Sequence, residues 1–164
     1  MTCVLRCLVE RGGAGANGKT KTKLDPTKRN ITEKNLMSYT FDKTLDTPFD
    51  VALAKITEAL KAKGFGVLTT IDVRKTMKEK INEDIRPYTI LGACSPRHAF
   101  RALSLENKIG SMLPCNVIVQ EKADGQVEIS AIDPIASMAA INNPQLRDVA
   151  TEVQSLLQGV VNGL

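Results

Sequence analysis

Two cysteines at the ends of predicted strands are the residues whose types and positions most favour chemistry. Cys94 ends an apolar, β-branched run that begins at Tyr88, and Ser95-Pro96 directly after it is typical of a helix start. A thiol at a helix N-terminus lies near unsatisfied backbone N–H groups and the positive end of the helix dipole, and both favour the thiolate. The position therefore predicts a reactive thiol or a metal ligand.

The second cysteine, Cys115, follows Pro114 and begins the next predicted strand. If the two strands pair antiparallel, both thiols lie at the same end of the sheet. Two thiolates could then hold a soft metal ion together with Glu106, Asp133 or water, completed by a second subunit. Both cysteines also suit simple packing, because free cysteine is among the most buried residue types.

Other polar residues give weaker signals. His98 is the only histidine and could be a third metal ligand, but the neighbouring Arg97 and Arg101 predict a solvated helix face. Asp133 precedes a proline, which favours a turn or a helix cap over an acid catalyst. Lys80 lies in a lysine-rich run, as solvated helix faces often do. The chain has neither a C-x-x-C motif nor a nucleophile elbow.

Helix and turn signals surround these residues. Thr47-Pro48 begins the most clearly predicted helix, in which Asp50 would complete a capping box and Lys63-Gly64 would close the last turn. Asp124-Gly125 predicts a hairpin between two alternating strands. The predicted order is β-α-β-α-β-α-β-β-α. It favours an α+β fold, a two-layer sandwich with helices on one face of a mixed sheet.

The last predicted helix begins near Asn143-Pro144 and carries an apolar stripe. Two further apolar residues, Leu157 and Val161, fall beside that stripe, where a partner chain could cover them. The stripe itself consists of Leu146, Val149, Val153, Leu156 and Val160.

The net charge of the residues before Met37 differs from that of the residues from Met37 onward. Residues 1–36 carry 8 Lys/Arg and 3 Asp/Glu, whereas residues 37–164 carry 14 and 15, a net charge of −1. All Phe and Tyr residues lie in the second segment. We therefore expect one domain over 37–164 and a disordered leader over 1–36 that is not part of the natural protein.

The same division argues against several functions. A nucleic-acid-binding domain would normally carry its own basic face, and residues 37–164 have no basic excess to build it. No apolar run approaches the roughly 20 residues that span a bilayer. These observations favour a cytoplasmic protein that binds neither nucleic acid nor membrane, and in the cytoplasm a structural disulfide is not expected.

Three segments together resemble the domain of unknown function 302 family: the run Tyr88–Pro96, the segment Leu113-Pro114-Cys115-Asn116-Val117, and Ile132-Asp133-Pro134. The resemblance extends from about Ser38 to Met138. It implies a small bacterial or archaeal α+β domain that pairs as a homodimer, and it supplies no activity. This chain departs from the family pattern at Ser95, where asparagine is usual, and at His98, where an apolar residue is usual.

The family motif directs attention to a set of candidate binding residues: Cys94, Cys115, Asn116 and Asp133, and more weakly Glu106 and Lys80. Three functions stay open. The first is a binding module for a small ligand or soft metal ion, with Cys94 and Cys115 as the metal ligands. The second is a thiol-dependent or redox enzyme, and the third is a structural interaction domain. No cofactor is required by any motif in the sequence.

Overall fold

A computed structural model describes residues 38–164 of the chain. Five strands form one sheet in the order β1-β5-β4-β3-β2, and every neighbouring pair is antiparallel. The strands are β1 (Thr40–Leu45), β2 (Gly66–Asp72), β3 (Tyr88–Cys94), β4 (Cys115–Glu121) and β5 (Val127–Ile132). The helices are α1 (Phe49–Ala62), α2 (Val73–Ile81), α3 (Pro96–Leu105), α4 (Pro134–Ser137) and α5 (Leu146–Asn162), with a 3-10 turn at Ile109–Met112.

The α+β fold is as predicted, but the expectation of a mixed sheet is wrong. The β1-α1-β2 segment does join two strands that run in the same direction. However, β1 and β2 lie at opposite edges of the sheet, so the crossover produces no parallel neighbours. The predicted hairpin joins β4 to β5 around Gly125, which has a positive φ of 81°.

The core lies between one face of the sheet and helices α1 and α5. Alternate residues of the central strands, among them Val117, Val119 and Ile129, are fully buried against Ile56 of α1 and Leu157 of α5. This alternation follows from the pleat of a strand, which directs successive side chains to opposite faces. Within residues 38–164, no helix is long and apolar enough to cross a membrane.

The capping box predicted for α1 does not form. The helix begins at Phe49, and Pro48 is the N-cap, with no side-chain capping hydrogen bond. Thr47 therefore lies one residue too early, and its Oγ1 is buried without a hydrogen-bond partner. Asp50 still lies in the first turn, where its charge complements the helix dipole.

The buried face of α5 differs from the predicted stripe. Leu157 and Val161 are buried in the core, and Leu156 is only partly buried. The next inward position after Val153 lies four residues on, at Leu157, and the following turn buries both Val160 and Val161. The expectation that Leu157 and Val161 face a partner chain is therefore wrong. The leader predicted over residues 1–36 lies outside the described residues.

Candidate functional site

The two thiols lie at the same end of the sheet, as expected for antiparallel neighbours. Strand β3 ends at Cys94 and strand β4 begins at Cys115, and Ala93 pairs directly with Cys115 in the ladder. Both cysteines are free. Cys115 is buried, whereas Cys94 is partly exposed. The strand register thus places the thiols beside the start of α3.

A cavity opens at this end of the sheet. Its interior volume is about 30 Å³, and the total empty space reaches about 440 Å³ only when the open mouth is counted. Helices α3, α4 and α5 and the ends of β3 and β4 form its walls. The lining residues are Phe65, Ala93, Cys94, Ser95, His98, Ala99, Ala102, Leu113, Cys115, Pro134, Met138, Leu146, Val149, Ala150 and Val153. All except Ser95 and His98 are apolar, counting the thiols as small apolar groups.

The environment of the thiols opposes ionisation, contrary to the helix-dipole argument. Burial raises the pKa of Cys94. Burial also raises the pKa of Cys115, to about 11, with a smaller contribution from the neighbouring Cys94. The apolar lining of the cavity reduces the hydration of both thiols, and this loss favours the neutral form. Both thiols are therefore protonated at neutral pH.

We expect the thiols to react slowly with alkylating agents at neutral pH. With a pKa of about 11, Cys115 carries at pH 7.5 roughly 300-fold less thiolate than a free thiol of pKa ~8.5. Iodoacetamide labelling, followed by peptide mass spectrometry, should show both cysteines reacting more slowly than glutathione, Cys115 slowest, with rates that rise tenfold per pH unit. A Cys115 that reacts as fast as glutathione at pH 7.5 would contradict the buried, protonated thiol.

His98 is not the solvated surface residue that the sequence predicted. Its side chain is only 19% exposed. Its Nδ1 lies 2.8 Å from the hydroxyl of Ser95, and its Nε2 lies 3.2 Å from Oε2 of Glu152 on α5. Arg101 in turn holds the Glu152 carboxylate with two hydrogen bonds of 2.6 and 3.1 Å. The prediction failed because the exposure of the neighbouring Arg97 does not extend to His98, and Arg101 pairs with Glu152 of α5, the same residue that His98 contacts.

The remaining candidate residues do not line the cavity. Asp133 caps α4: its carboxylate accepts hydrogen bonds from the backbone N–H of Ile135 and from the side chain of Gln154. Glu106 ends α3 and accepts from the backbone N–H of Lys108 and from Asn143. Asn116 and Lys80 are exposed on β4 and α2. Of the six predicted binding residues, the cavity thus brings together only the two cysteines.

Within residues 38–164, no group of three or more Cys, His, Asp or Glu side chains has the arrangement of a metal site. A soft metal ion at Cys94 and Cys115 would need ligands from a second chain. It would also have to displace protons from two thiols whose pKa values are raised. The metal site therefore stays a prediction that one subunit alone does not fulfil.

Sequence reasoning missed Ser95 and Glu152 as members of one polar cluster. Ser95 carried a signal, since it departs from the asparagine usual in the resembled family and lies three residues before the single histidine. Glu152 carried none, because only the packing of α3 against α5 brings it to His98.

Comparison with known proteins supports the family assignment of this chain and does not indicate an activity. The chain is similar to the crystal structure of an uncharacterised conserved DUF302 protein from Bacillus stearothermophilus. The sequence identity is 27% and the TM-score 0.71, over 76% of this chain and 96% of that one. No match was found among curated proteins. The family model described as the domain of unknown function DUF302 matches residues 41–164. The chain belongs to the DUF302 family.

Proposed function

We propose that this DUF302 domain is a binding module whose cavity, at the Cys94 and Cys115 end of the sheet, holds a small and largely apolar molecule. The observation that supports this most directly is the cavity itself, which combines apolar walls with two polar side chains, Ser95 and His98. Ligand sites are commonly concave and apolar, with a few polar groups that fix orientation. The interior is narrow and its mouth is open, so it suits a small ligand whose apolar part enters the cavity while the rest lies in the mouth.

The protonation of the thiols favours this function over a metal-binding or thiol-dependent one. A protonated thiol is a weak nucleophile and a poor metal ligand, but it packs well against an apolar ligand. The alternative of a thiol enzyme or soft-metal site retains one favourable observation, which is that both thiols line the same cavity. A reducing cytoplasmic location, which we also propose, suits either function, since it keeps both thiols free.

Blocking the cavity should abolish ligand binding. Ala99 lines the cavity from α3, and Ala99→Leu adds three carbon atoms to that wall. With indole as the probe, the wild-type chain should show saturable shifts of the methyl NMR signals of Val149 and Val153. The dissociation constant should be on the order of 1 mM, equivalent to about −4 kcal/mol. The Ala99→Leu variant should show no saturable shift.

The matched control is Ala54→Leu, since Ala54 lies on an exposed face of α1 and does not line the cavity. This variant should bind indole as the wild type does. Binding that survives in the Ala99→Leu variant, or an absence of binding in the wild type, would contradict the proposed function and leave a structural interaction domain as the better description.

We also propose that the chain pairs with a second copy through the sheet face opposite α1 and α5. On this face Ile71, Ile90 and Ile118 lie side by side across three strands, and Ile71 is 46% exposed. An apolar row of this kind could pack against its own symmetry-related copy.

Light scattering should give a dimer at high micromolar concentration. The Ile118→Lys substitution should disrupt this dimer, whereas the Val51→Lys substitution, on α1, should not. A monomeric wild type would contradict the pairing.

A further inference from the structure

A chain of polar contacts runs along the edge of the cavity between α3 and α5. It begins at the Ser95 hydroxyl, 2.8 Å from Nδ1 of His98, and continues from Nε2 of His98 to Oε2 of Glu152 over 3.2 Å. It ends at Arg101, which binds both oxygens of the Glu152 carboxylate. Ser95 and His98 both line the cavity. The chain thus reaches from the solvent-exposed carboxylate to the apolar interior.

The charge of Glu152 decides which ring nitrogen of His98 can accept a proton from Ser95. Hydrogen bonding and charge from Arg101 lower the pKa of Glu152, so this carboxylate is ionised at neutral pH and can only accept. The negative charge of Glu152, whose Oε2 lies 3.2 Å from Nε2 of His98, favours a proton on Nε2, so in the neutral form of the ring Nδ1 carries none. Nδ1 accepts the hydroxyl proton of Ser95. A hydroxyl that donates to a neutral imidazole, itself oriented by a carboxylate, is the arrangement that activates a serine.

The position of Ser95 on α3 supports a role beyond helix capping. Ser95 is the N-cap residue of α3, yet its side chain makes no capping hydrogen bond to the backbone. Its Oγ bonds His98 instead. The first backbone N–H of the helix that meets a carbonyl belongs to Ala99, which donates to the carbonyl of Ser95. The backbone N–H groups of Arg97 and His98 come before Ala99 in the chain, so the helix itself offers them no carbonyl. They can therefore stabilise a developing oxyanion.

We propose that Ser95 and His98 hydrolyse small esters that carry an apolar acyl group, with Glu152 as a positioning residue for His98. This proposal rests on the proposed function, since the cavity would hold the acyl group. Ser95 supplies the nucleophile and His98 the base. Glu152 holds the imidazole in the tautomer whose Nδ1 accepts the serine proton, so it acts through His98 and not on the substrate.

In the first step, Oγ of Ser95 bonds to the carbonyl carbon of the ester while its proton passes to Nδ1 of His98. The bond between the acyl carbon and the alkoxy oxygen then breaks, and His98 returns the proton to the departing alkoxide, which leaves as the alcohol. In the second step, water attacks the acyl-serine with His98 again as the base. The carboxylic acid departs and Ser95 recovers its proton. The net reaction is ester plus water to acid plus alcohol.

The full chain with p-nitrophenyl acetate tests this proposal. We expect turnover with acetylation of Ser95, located by peptide mass spectrometry after rapid acid quench. Ser95→Ala and His98→Gln should each lower kcat/KM at least about 100-fold, as loss of a nucleophile or general base does. Glu152→Gln should lower kcat and leave KM unchanged, because Glu152 positions the base and does not bind substrate. Glu79→Gln, which alters an exposed ion pair on α2, should change neither constant.

The indole titration separates this proposal from the proposed function. Ser95→Ala should keep the circular dichroism spectrum and the melting temperature of the wild type, which shows that the variant is folded. Indole binding without turnover in the wild type would overturn the hydrolytic role and leave the binding function intact. Acetylation confined to Cys94 or Cys115, or a Ser95→Ala variant that retains full turnover, would likewise overturn it. An absence of indole binding would instead count against the proposed function.

Discussion

Replacing Leu157 by alanine is expected to lower the free energy of unfolding by about 2–5 kcal/mol. Leu157 has no exposed surface and belongs to the largest core cluster, between α5 and the sheet. The substitution removes buried apolar surface and leaves a cavity, because the β-sheet beneath it cannot collapse into the space. Urea denaturation of the variant and the wild type, followed by circular dichroism, measures the difference.

The adjacent residue provides a matched control. Leu156 is only partly buried, although the sequence placed it in the apolar stripe and placed Leu157 beside it. Leu156→Ala should therefore cost less than about 1.5 kcal/mol, the lower end of the range for full burial of a leucine. If Leu156→Ala proved as damaging as Leu157→Ala, the inward face of α5 would have to be rotated by about 100° from the face in this structure.

The difference between these two leucines shows where sequence reasoning about this fold reaches its limit. The strand Tyr88–Cys94, the Asp124-Gly125 hairpin and the presence of helix α1 could be predicted, because turn residues and the spacing of apolar residues mark them locally. The inward face of α5 could not, since both leucines suit a helical period and only contact with the sheet decides between them. The antiparallel order of the sheet is also non-local, because it depends on where β2 lies relative to β1.

Some features of the candidate site could likewise be predicted from the sequence, and others could not. The meeting of Cys94 and Cys115 could be predicted, because antiparallel neighbours place the end of one strand beside the start of the next. Their protonation state could not, because the apolar walls that raise both pKa values come from three separate helices. The contact between His98 and Glu152 could not be predicted from the sequence either, because it depends on how α3 packs against α5.

Replacing Gly92 by alanine is expected to destabilise the domain by about 1–3 kcal/mol, the usual cost of overpacking. Gly92 lies in the middle of β3, where it pairs with Thr69 of β2 and Asn116 of β4. A Cβ at this position would clash with Oγ1 of Thr69 and would lie 2.8 Å from Cγ of Pro114. The stiff ring of Pro114 and the β-branched Thr69 leave the neighbours little freedom to move aside.

Two further variants make this prediction specific to the clash. Gly66→Ala, on the neighbouring strand, would place a Cβ 3.9 Å from its nearest neighbour, the carbonyl oxygen of Cys94, so it should be neutral or stabilise by up to about 1 kcal/mol. Thr69→Ala removes Oγ1 and should restore part of the loss in the Gly92→Ala background. Because Pro114 directly precedes Cys115, movement of its ring should also expose that thiol, and iodoacetamide should label Cys115 faster in Gly92→Ala than in the wild type. Equal unfolding energies for the Gly92→Ala and Gly66→Ala variants would contradict the close approach of Thr69 and Pro114 at this point of the sheet.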